Sequence, residues 1–339
     1  MDSRTKRPLT ASELDALARR ALGTGITASA ELTDGFANAV WRLTLEDGRE
    51  VVLKLSPPPE LEQLRYERNL LRTEAMVYGL AGPAGVPGPE LLCAGFDDPV
   101  LGGDYLVLSA LGGVPWNQVT PADADQRALR RELGGHLARL NSITGDVYGY
   151  PHAGLTGGTW RAAFLAMTGA ILADARRYAT PLPRPAAEIS AVIEASAGVL
   201  EEVKTPSLVH FDVWPGNVFL TPGDSPRIQA IIDHERAFWG DPLADFVTPT
   251  IFGELDESDE IVAGYREAGG VVEFTDSTRA RIALYRLYLA LIILVENGPR
   301  QYPEEDYAPL RDLSAAALVR ALDRLSAQPA SRSADPFPV

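Results

Sequence analysis

His210, Asp212 and Asn217 form an H-x-D-x-x-x-x-N run, and sixteen positions after Asn217 an isolated Asp233 closes the apolar stretch Ile231-Ile232. Trp214-Pro215-Gly216, between Asp212 and Asn217, cannot continue a regular helix or a central strand, so both side chains are presented from a loop. A hydroxyl gives up its proton only far above neutral pH, and a carboxylate within hydrogen-bond reach can accept that proton; Asp212 is the candidate base. Asn217 offers a neutral oxygen and Asp233 an anionic one, hard ligands that suit Mg²⁺, which keeps some water and takes the rest of its shell from substrate phosphates. Together these groups suit phosphoryl transfer from a nucleoside triphosphate to a hydroxyl. Singly, each is as readily a turn or helix cap; their joint spacing with Gly240-Asp241-Pro242 singles out the chemistry.

Such a loop needs a scaffold. Apolar positions at helical spacing cover 10–22, with Thr10 or Ser12 as N-cap and Gly23 as the stop. Residues 39–45 and 50–55 alternate apolar with polar around the turn Glu46-Asp47-Gly48-Arg49, which predicts a hairpin. After Pro57-Pro58-Pro59 a helical pattern spans 61–80 and ends in a Gly/Pro-rich loop over 82–89. Residues 105–109 read as a short buried strand and 110–115 as a connector. Helix dominates beyond it, through the stripe Leu129, Leu133, Leu137, Leu140, Ile143 and then 160–178, 186–203, 258–268, 277–296 and 310–325. A second small hairpin is expected from 218–220 and 228–232. Strands first and a helical bulk afterwards predict an α+β fold with a cleft between two unequal lobes. The expected division is 1–109 for the nucleotide-binding lobe, 110–115 for the hinge, 116–326 for the helical lobe and 327–339 for a flexible tail.

The run His210-x-Asp212-x-x-x-x-Asn217 with Ile232-Asp233 and Gly240-Asp241-Pro242-x-x-Asp245 resembles the aminoglycoside phosphotransferase family, small-molecule kinases with a protein-kinase-like fold, over about residues 32–296. The resemblance implies that Lys54 pairs with nucleotide phosphates and that Glu74, with Glu67 as its rival two turns earlier, pairs with Lys54. It implies a phosphate-covering turn at Thr33-Asp34-Gly35-Phe36-Ala37-Asn38, with Gly35 and Asn38 as contacts. The nucleobase would lie against Ser109, Ala110, Leu111 and Ile232, with Cys93 and Ile231 as neighbours. His210 would be architectural, Asp241 would tie its loop to the catalytic segment, and Asp245 would open the next helix. Phe211 stands where the family commonly has glycine. Trp214, Glu235, Trp239, Glu254 and Asp256 are candidates for the acceptor site, Glu235 equally for the metal. Mg²⁺ and ATP or GTP are the implied cofactors. The acceptor is an aminoglycoside or another sugar-containing antibiotic, or the substrate of a choline, homoserine, fructosamine or methylthioribose kinase; a silent nucleotide-binding module is the reading from another class.

Bulk composition narrows the field. A net charge of -15 over 339 residues disfavours nucleic acid and permits a cationic acceptor. One cysteine closes no intramolecular disulfide, no secretory leader pattern opens the chain, and the apolar run 287–295 is shorter than the roughly 20 residues a membrane helix needs. A cytoplasmic enzyme away from membranes is expected. Gly23-Thr24-Gly25-Ile26-Thr27-Ala28 matches a loose dinucleotide fingerprint but follows a helix, so it reads as a helix end. No G-x-x-x-x-G-K-[ST] loop and no zinc spacing is present. The acidic run 254–260 reads first as a helix entrance, and Tyr285 and Tyr288 first as core.

Overall fold

The computed structural model describes residues 8–32 and 38–327; Gly35 and the rest of the expected phosphate-covering turn at 33–37, and the expected tail from 328 on, lie outside them. Helix α1 (Ala11–Leu22) opens with a Thr10–Glu13 capping box and ends at Gly23, whose φ of 74° is left-handed. Strands β1 (Ile26–Glu31), β2 (Ala39–Leu45), β3 (Glu50–Leu55), β4 (Leu91–Asp98) and β5 (Gly103–Ser109) form an antiparallel sheet in the order β1-β2-β3-β5-β4. Leu14, Leu17 and Ala18 of α1 pack on Leu43, Leu53, Leu55 and Val107 in a small core of their own. Because strand side chains alternate, Lys54 points to the opposite face of the sheet from Leu53 and Leu55. Cys93 packs against the small core as well, on the face away from Lys54, which removes it from the nucleobase surroundings expected of it.

Helix α2 (Leu70–Ala81) covers the Lys54 face, with Val77 and Ala81 in the large core. The helical pattern over 61–80 therefore overshoots: the chain turns at Pro58–Leu61, is extended at Leu64, makes a three-residue 3₁₀ turn at Arg65–Glu67, and enters α2 only after Asn69, whose φ is 59°. Glu67 accepts the Leu64 N–H at 2.9 Å and lies outside α2.

The large core belongs to the C-terminal part: β6 (Val114–Pro115), α3 (Asp123–Asn141), β7 (Tyr148–Tyr150), β8 (Leu155–Gly157), α4 (Trp160–Arg177), α5 (Ala186–Ser196), β9 (Ser207–Val209), β10 (Val218–Leu220), β11 (Ile228–Ile231), β12 (Phe238–Gly240), α6 (Glu260–Glu267), α7 (Asp276–Arg300) and α8 (Glu304–Ala327). The fold is α+β with two unequal lobes. Helices α3 and α6 approach backbone to backbone; a Cβ on Gly264 would stand 1.8 Å from the Arg131 carbonyl oxygen. The apolar run 287–295 lies buried inside α7, and among the described residues no helix is long and apolar enough to cross a membrane.

β10 pairs with both β11 and β6, and β9 pairs with β12, so the loop 210–217 is held between two small sheets. Phe211 in that loop has a φ of 60°, which explains why glycine suits the position, and it is fully buried against Phe238 and Tyr288 at ring distances of 5.2 and 5.7 Å. Left-handed strain of about 1–3 kcal/mol is outweighed by burial of a ring whose removal typically costs 3–5. Phe211→Gly is expected to lower stability by about 2 kcal/mol in urea unfolding; a gain would show that strain dominates.

Candidate active site

Lys54, Glu74 and Asp233 come from a strand of the small lobe, the helix beside it and the turn after β11. The Lys54 ammonium lies 2.6 Å from Glu74 Oε2, 2.7 Å from Asp233 Oδ1 and 3.8 Å from Glu235 Oε2. Glu74 is therefore the lysine's partner, and Glu67 is not. Tyr78, one turn further along α2, donates to Glu74 Oε1 at 3.0 Å, and Asn38 donates to Glu235 Oε2 at 2.5 Å. Asp233 holds its side chain there with a left-handed φ of 66°.

Ligand oxygens of Glu74, Asp233 and Glu235 all lie within 4.8 Å of one another. One ammonium faces three carboxylates, an imbalance that burial makes expensive. Burial and then the Asp233 charge push the Glu235 carboxyl up to about 8, and burial raises Glu74. Burial acts against Asp233 too, but Lys54 carries it below the usual range. Surplus negative charge on hard oxygens is the donor chemistry that Mg²⁺ takes, so these residues fit the ion. Asn217 is fastened to both neighbouring segments: its amide donates to the Asp212 carbonyl at 2.9 Å, and the Ile232 N–H donates to the Asn217 carbonyl at 3.0 Å.

The Asp212 side chain is largely buried, and burial raises its carboxyl against the pull of Arg236, whose guanidinium is 3.6 Å away. His210 is fully buried and neutral, its pKa lowered by burial. Its Nδ1 accepts the Asp212 N–H at 3.2 Å, which leaves Nε2–H to donate to the Ile232 carbonyl at 3.1 Å. Asp245 accepts the His210 and Phe211 N–H groups at 2.9 and 2.8 Å. Asp241 instead accepts from Arg281, Tyr285 and the Leu243 N–H. The two aspartates thus differ from their expected parts: Asp245 ties the catalytic segment, while Asp241 caps the turn beginning at Pro242 and anchors it to α7.

At the connector, Ser109 closes β5 opposite Val51, and Ala110 donates to the Glu50 carbonyl at 3.2 Å. The Leu111 N–H has no partner among the described residues. Ile231 is buried beneath, its N–H on the Pro87 carbonyl, and Ile232 is half-buried.

The acceptor candidates scatter. Glu235 joins the Lys54 cluster, and Trp214 lies against Gly216 in the catalytic loop. Trp239 is buried in β12 against Gly145, and Tyr285 and Tyr288 are core. Glu254 lies in a shallow depression between α7 and α8, its carboxylate shared by Arg286 at 2.6 Å and Arg324 at 3.1 Å. Asp256 accepts from Ser258, Glu257 pairs with Arg266, Asp259 with Arg130 and Glu260 with Arg131. The acidic run is largely neutralised by arginines of this chain, so it does not present the field of free carboxylates that a cationic ligand would seek. Sequence reading passed over Arg236; the signal was an arginine leading straight into the apolar Ala237-Phe238-Trp239.

The model of the phosphotransferase enzyme family matches residues 30–285. Among curated proteins no sequence matches significantly. A candidate fructosamine-3-kinase from Thermobifida fusca is 21% identical, with a TM-score of 0.60, covering 92% of this chain and 100% of that one. A macrolide 2′-phosphotransferase from Brachybacterium faecium is 20% identical, with a TM-score of 0.57, covering 91% and 98%. The enzyme APH(2″)-IIa, in a ternary complex with streptomycin and ATP, is 14% identical, with a TM-score of 0.57, covering 92% and 99%. At such identities the likeness is one of fold, the kinase-like two-lobed architecture.

The carboxylate surplus has a measurable sign. Glu235 binds its proton in the folded state up to about pH 8, against 4.5 unfolded, so its contribution to stability declines as pH rises through that interval and levels off above it. In metal-free buffer, wild type should lose stability relative to Glu235→Gln over that interval, at up to about 1.4 kcal/mol per pH unit. A difference that stays constant with pH would show Glu235 ionised at neutrality.

Proposed function

The chain belongs to the phosphotransferase enzyme family, and from that premise we propose that it moves the γ-phosphoryl group of ATP or GTP, with Mg²⁺, onto a hydroxyl of a small molecule, an aminoglycoside or another sugar-containing antibiotic. The observation that carries the reading is Asp212: a largely buried carboxylate on a loop held by Asp245, beside Asn217 and close enough to Asp233 to feel its charge. Asp212 takes the acceptor's proton as the new O–P bond forms and the bond to the bridging β–γ oxygen breaks, which leaves the nucleoside diphosphate. Lys54 would bind phosphate oxygens, with Glu74, 2.6 Å from its ammonium, orienting it. Asn217 and Asp233, with Glu235, would hold Mg²⁺, which when bound supplies positive charge to the phosphate oxygens. Asn38 would cover the phosphates, and the Ser109–Leu111 backbone would take the nucleobase edge.

A cavity of about 270 Å³ is lined by Asn38, Gln63, Glu67, Arg68, Asn69 and Arg300 among others. Its amides and charged groups suit a hydroxylated ligand, and Asn38 also touches the Lys54 cluster through Glu235. We therefore assign the acceptor's entrance to it in preference to the acidic run. A metabolic small-molecule kinase is the second reading, favoured by the fold likeness to the candidate fructosamine-3-kinase. Cytoplasmic action agrees with the single cysteine.

Incubation with Mg·ATP or Mg·GTP and a panel of aminoglycosides, nucleoside antibiotics, amino alcohols and glycated amines is expected to give a product heavier by one phosphoryl group. Asp212→Ala should slow that transfer by about 10²–10⁴-fold with nucleotide binding retained. Equal turnover by Asp212→Ala would remove it as the base, and transfer to the glycated amine alone would select the metabolic reading.

A further inference from the structure

Glu67, displaced from the partnership with Lys54, ends a row of buried charges that begins at the base. Asp212 Oδ1 lies 3.6 Å from Arg236 Nη1, and Arg236 Nη2 lies 2.8 Å from Glu296 Oε2. The same Glu296 oxygen lies 2.9 Å from Arg300 Nη1, and Arg300 Nη2 lies 2.5 Å from Glu67 Oε1. Signs alternate along all five members, and their side chains are between 2% and 17% exposed. They come from the catalytic loop, the turn after β11, two successive turns at the end of α7, and the segment before α2. The row therefore crosses from the large lobe to the small one by a route separate from the Lys54 cluster. Glu67 is fastened in turn to its own segment by the Leu64 N–H at 2.9 Å, and Leu64 is fully buried.

The unequal distances carry the argument. Arg236 is held tightly by Glu296 and loosely by Asp212, so Glu296 keeps the guanidinium from closing on the base. Glu296 offers one oxygen to both arginines, and its grip on Arg236 weakens if Arg300 draws it away. Arg300 is restrained from doing so by Glu67. Buried charges are sensitive to such exchanges because no water replaces a lost partner.

We propose that Glu67, Arg300, Glu296 and Arg236 are positioning residues for Asp212, so that the direction of the base's carboxylate depends on the segment before α2 being docked on the large lobe. The proposal rests on Asp212 being the base. A ligand in the adjoining cavity, which Glu67 and Arg300 line, would meet the outer end of the row.

The test compares Glu67→Gln, Arg300→Gln, Arg300→Lys and the Glu67→Gln/Arg300→Gln double variant in turnover of Mg·ATP, with water or a panel compound as acceptor. Binding of a fluorescent ATP analogue counts the folded, nucleotide-competent fraction. Glu67→Gln conserves volume and should lower kcat by about tenfold or more, with KM for ATP within about threefold of wild type. Arg300→Gln should lower kcat further, Arg300→Lys should recover part of the loss, and the double variant should be no worse than Arg300→Gln alone. Unchanged kcat in folded Glu67→Gln, multiplying losses in the double variant, or a loss confined to KM would overturn the inference. If Arg300→Gln does not fold, Glu67→Gln decides by itself. Absence of turnover in wild type would overturn the kinase reading and the inference with it, whereas turnover that ignores Glu67 overturns the inference alone.

Discussion

One buried ammonium holds the two lobes in register. Lys54 brings a strand of the small sheet, helix α2 and the turn after β11 to a single point through Glu74 and Asp233. Burial penalises the lysine's charge, and only the surrounding carboxylates keep it raised above its ordinary value. The pairing is therefore conditional: neither the ammonium nor the carboxylates are tolerable there alone. The alternation that sends Leu53 and Leu55 into the outer core delivers Lys54 inward, and α2 must lie where it does to present Glu74. Nucleotide phosphates that drew Lys54 towards themselves would have to replace the partners they displaced, and this links substrate binding to the closeness of the lobes.

Much of this was legible in advance because it depends on local chemistry. Trp214-Pro215-Gly216 forces a loop whatever surrounds it, and Glu46-Asp47-Gly48-Arg49 forces a turn, with Gly48 at a φ of 86°. The stripe through Leu129, Leu133 and Leu137 became the buried side of α3. Residues whose partners are distant in the chain were harder to place. Glu67 and Glu74 share a helical spacing, yet only one is on the helix, because Glu67 is claimed by Arg300, 233 positions away. Asp241 and Asp245 carry the same functional group four residues apart, and nothing local says which of them meets the backbone of His210. Strand β1 is hard to see in sequence because its alternation, Ile26-Thr27-Ala28-Ser29-Ala30-Glu31, rests on two alanines, weak strand formers, and five of its six residues are exposed. The acidic run suggested an attractive field, but arginines from α3, α6, α7 and α8 largely cancel it in space.

The two lobes also divide the work of holding the site. The small core under α1 is a self-contained support for the sheet, whereas α2, through Val77 and Ala81, packs with the large lobe. The element that carries Glu74 therefore bridges the cleft, packed on the large core and tied to β5 by the Arg72–Asp104 ion pair. Sheet and helix can shift relative to each other only by disturbing the Lys54 cluster. That arrangement suits a site in which a nucleotide has to be gripped from above and an acceptor from below.

Phe211 fills, with an aromatic ring, a place where the motif resemblance leads one to expect glycine. Its ring occupies space between Phe238 and Tyr288. A relative with glycine there must fill that volume from the facing positions or leave a void, since interiors are close-packed. The consequence is a pattern of co-variation: among chains aligned to this one, bulk at position 211 should trade against bulk at positions 238 and 288. A residue directly beside the proposed base would then drift with the hydrophobic core rather than with the substrate.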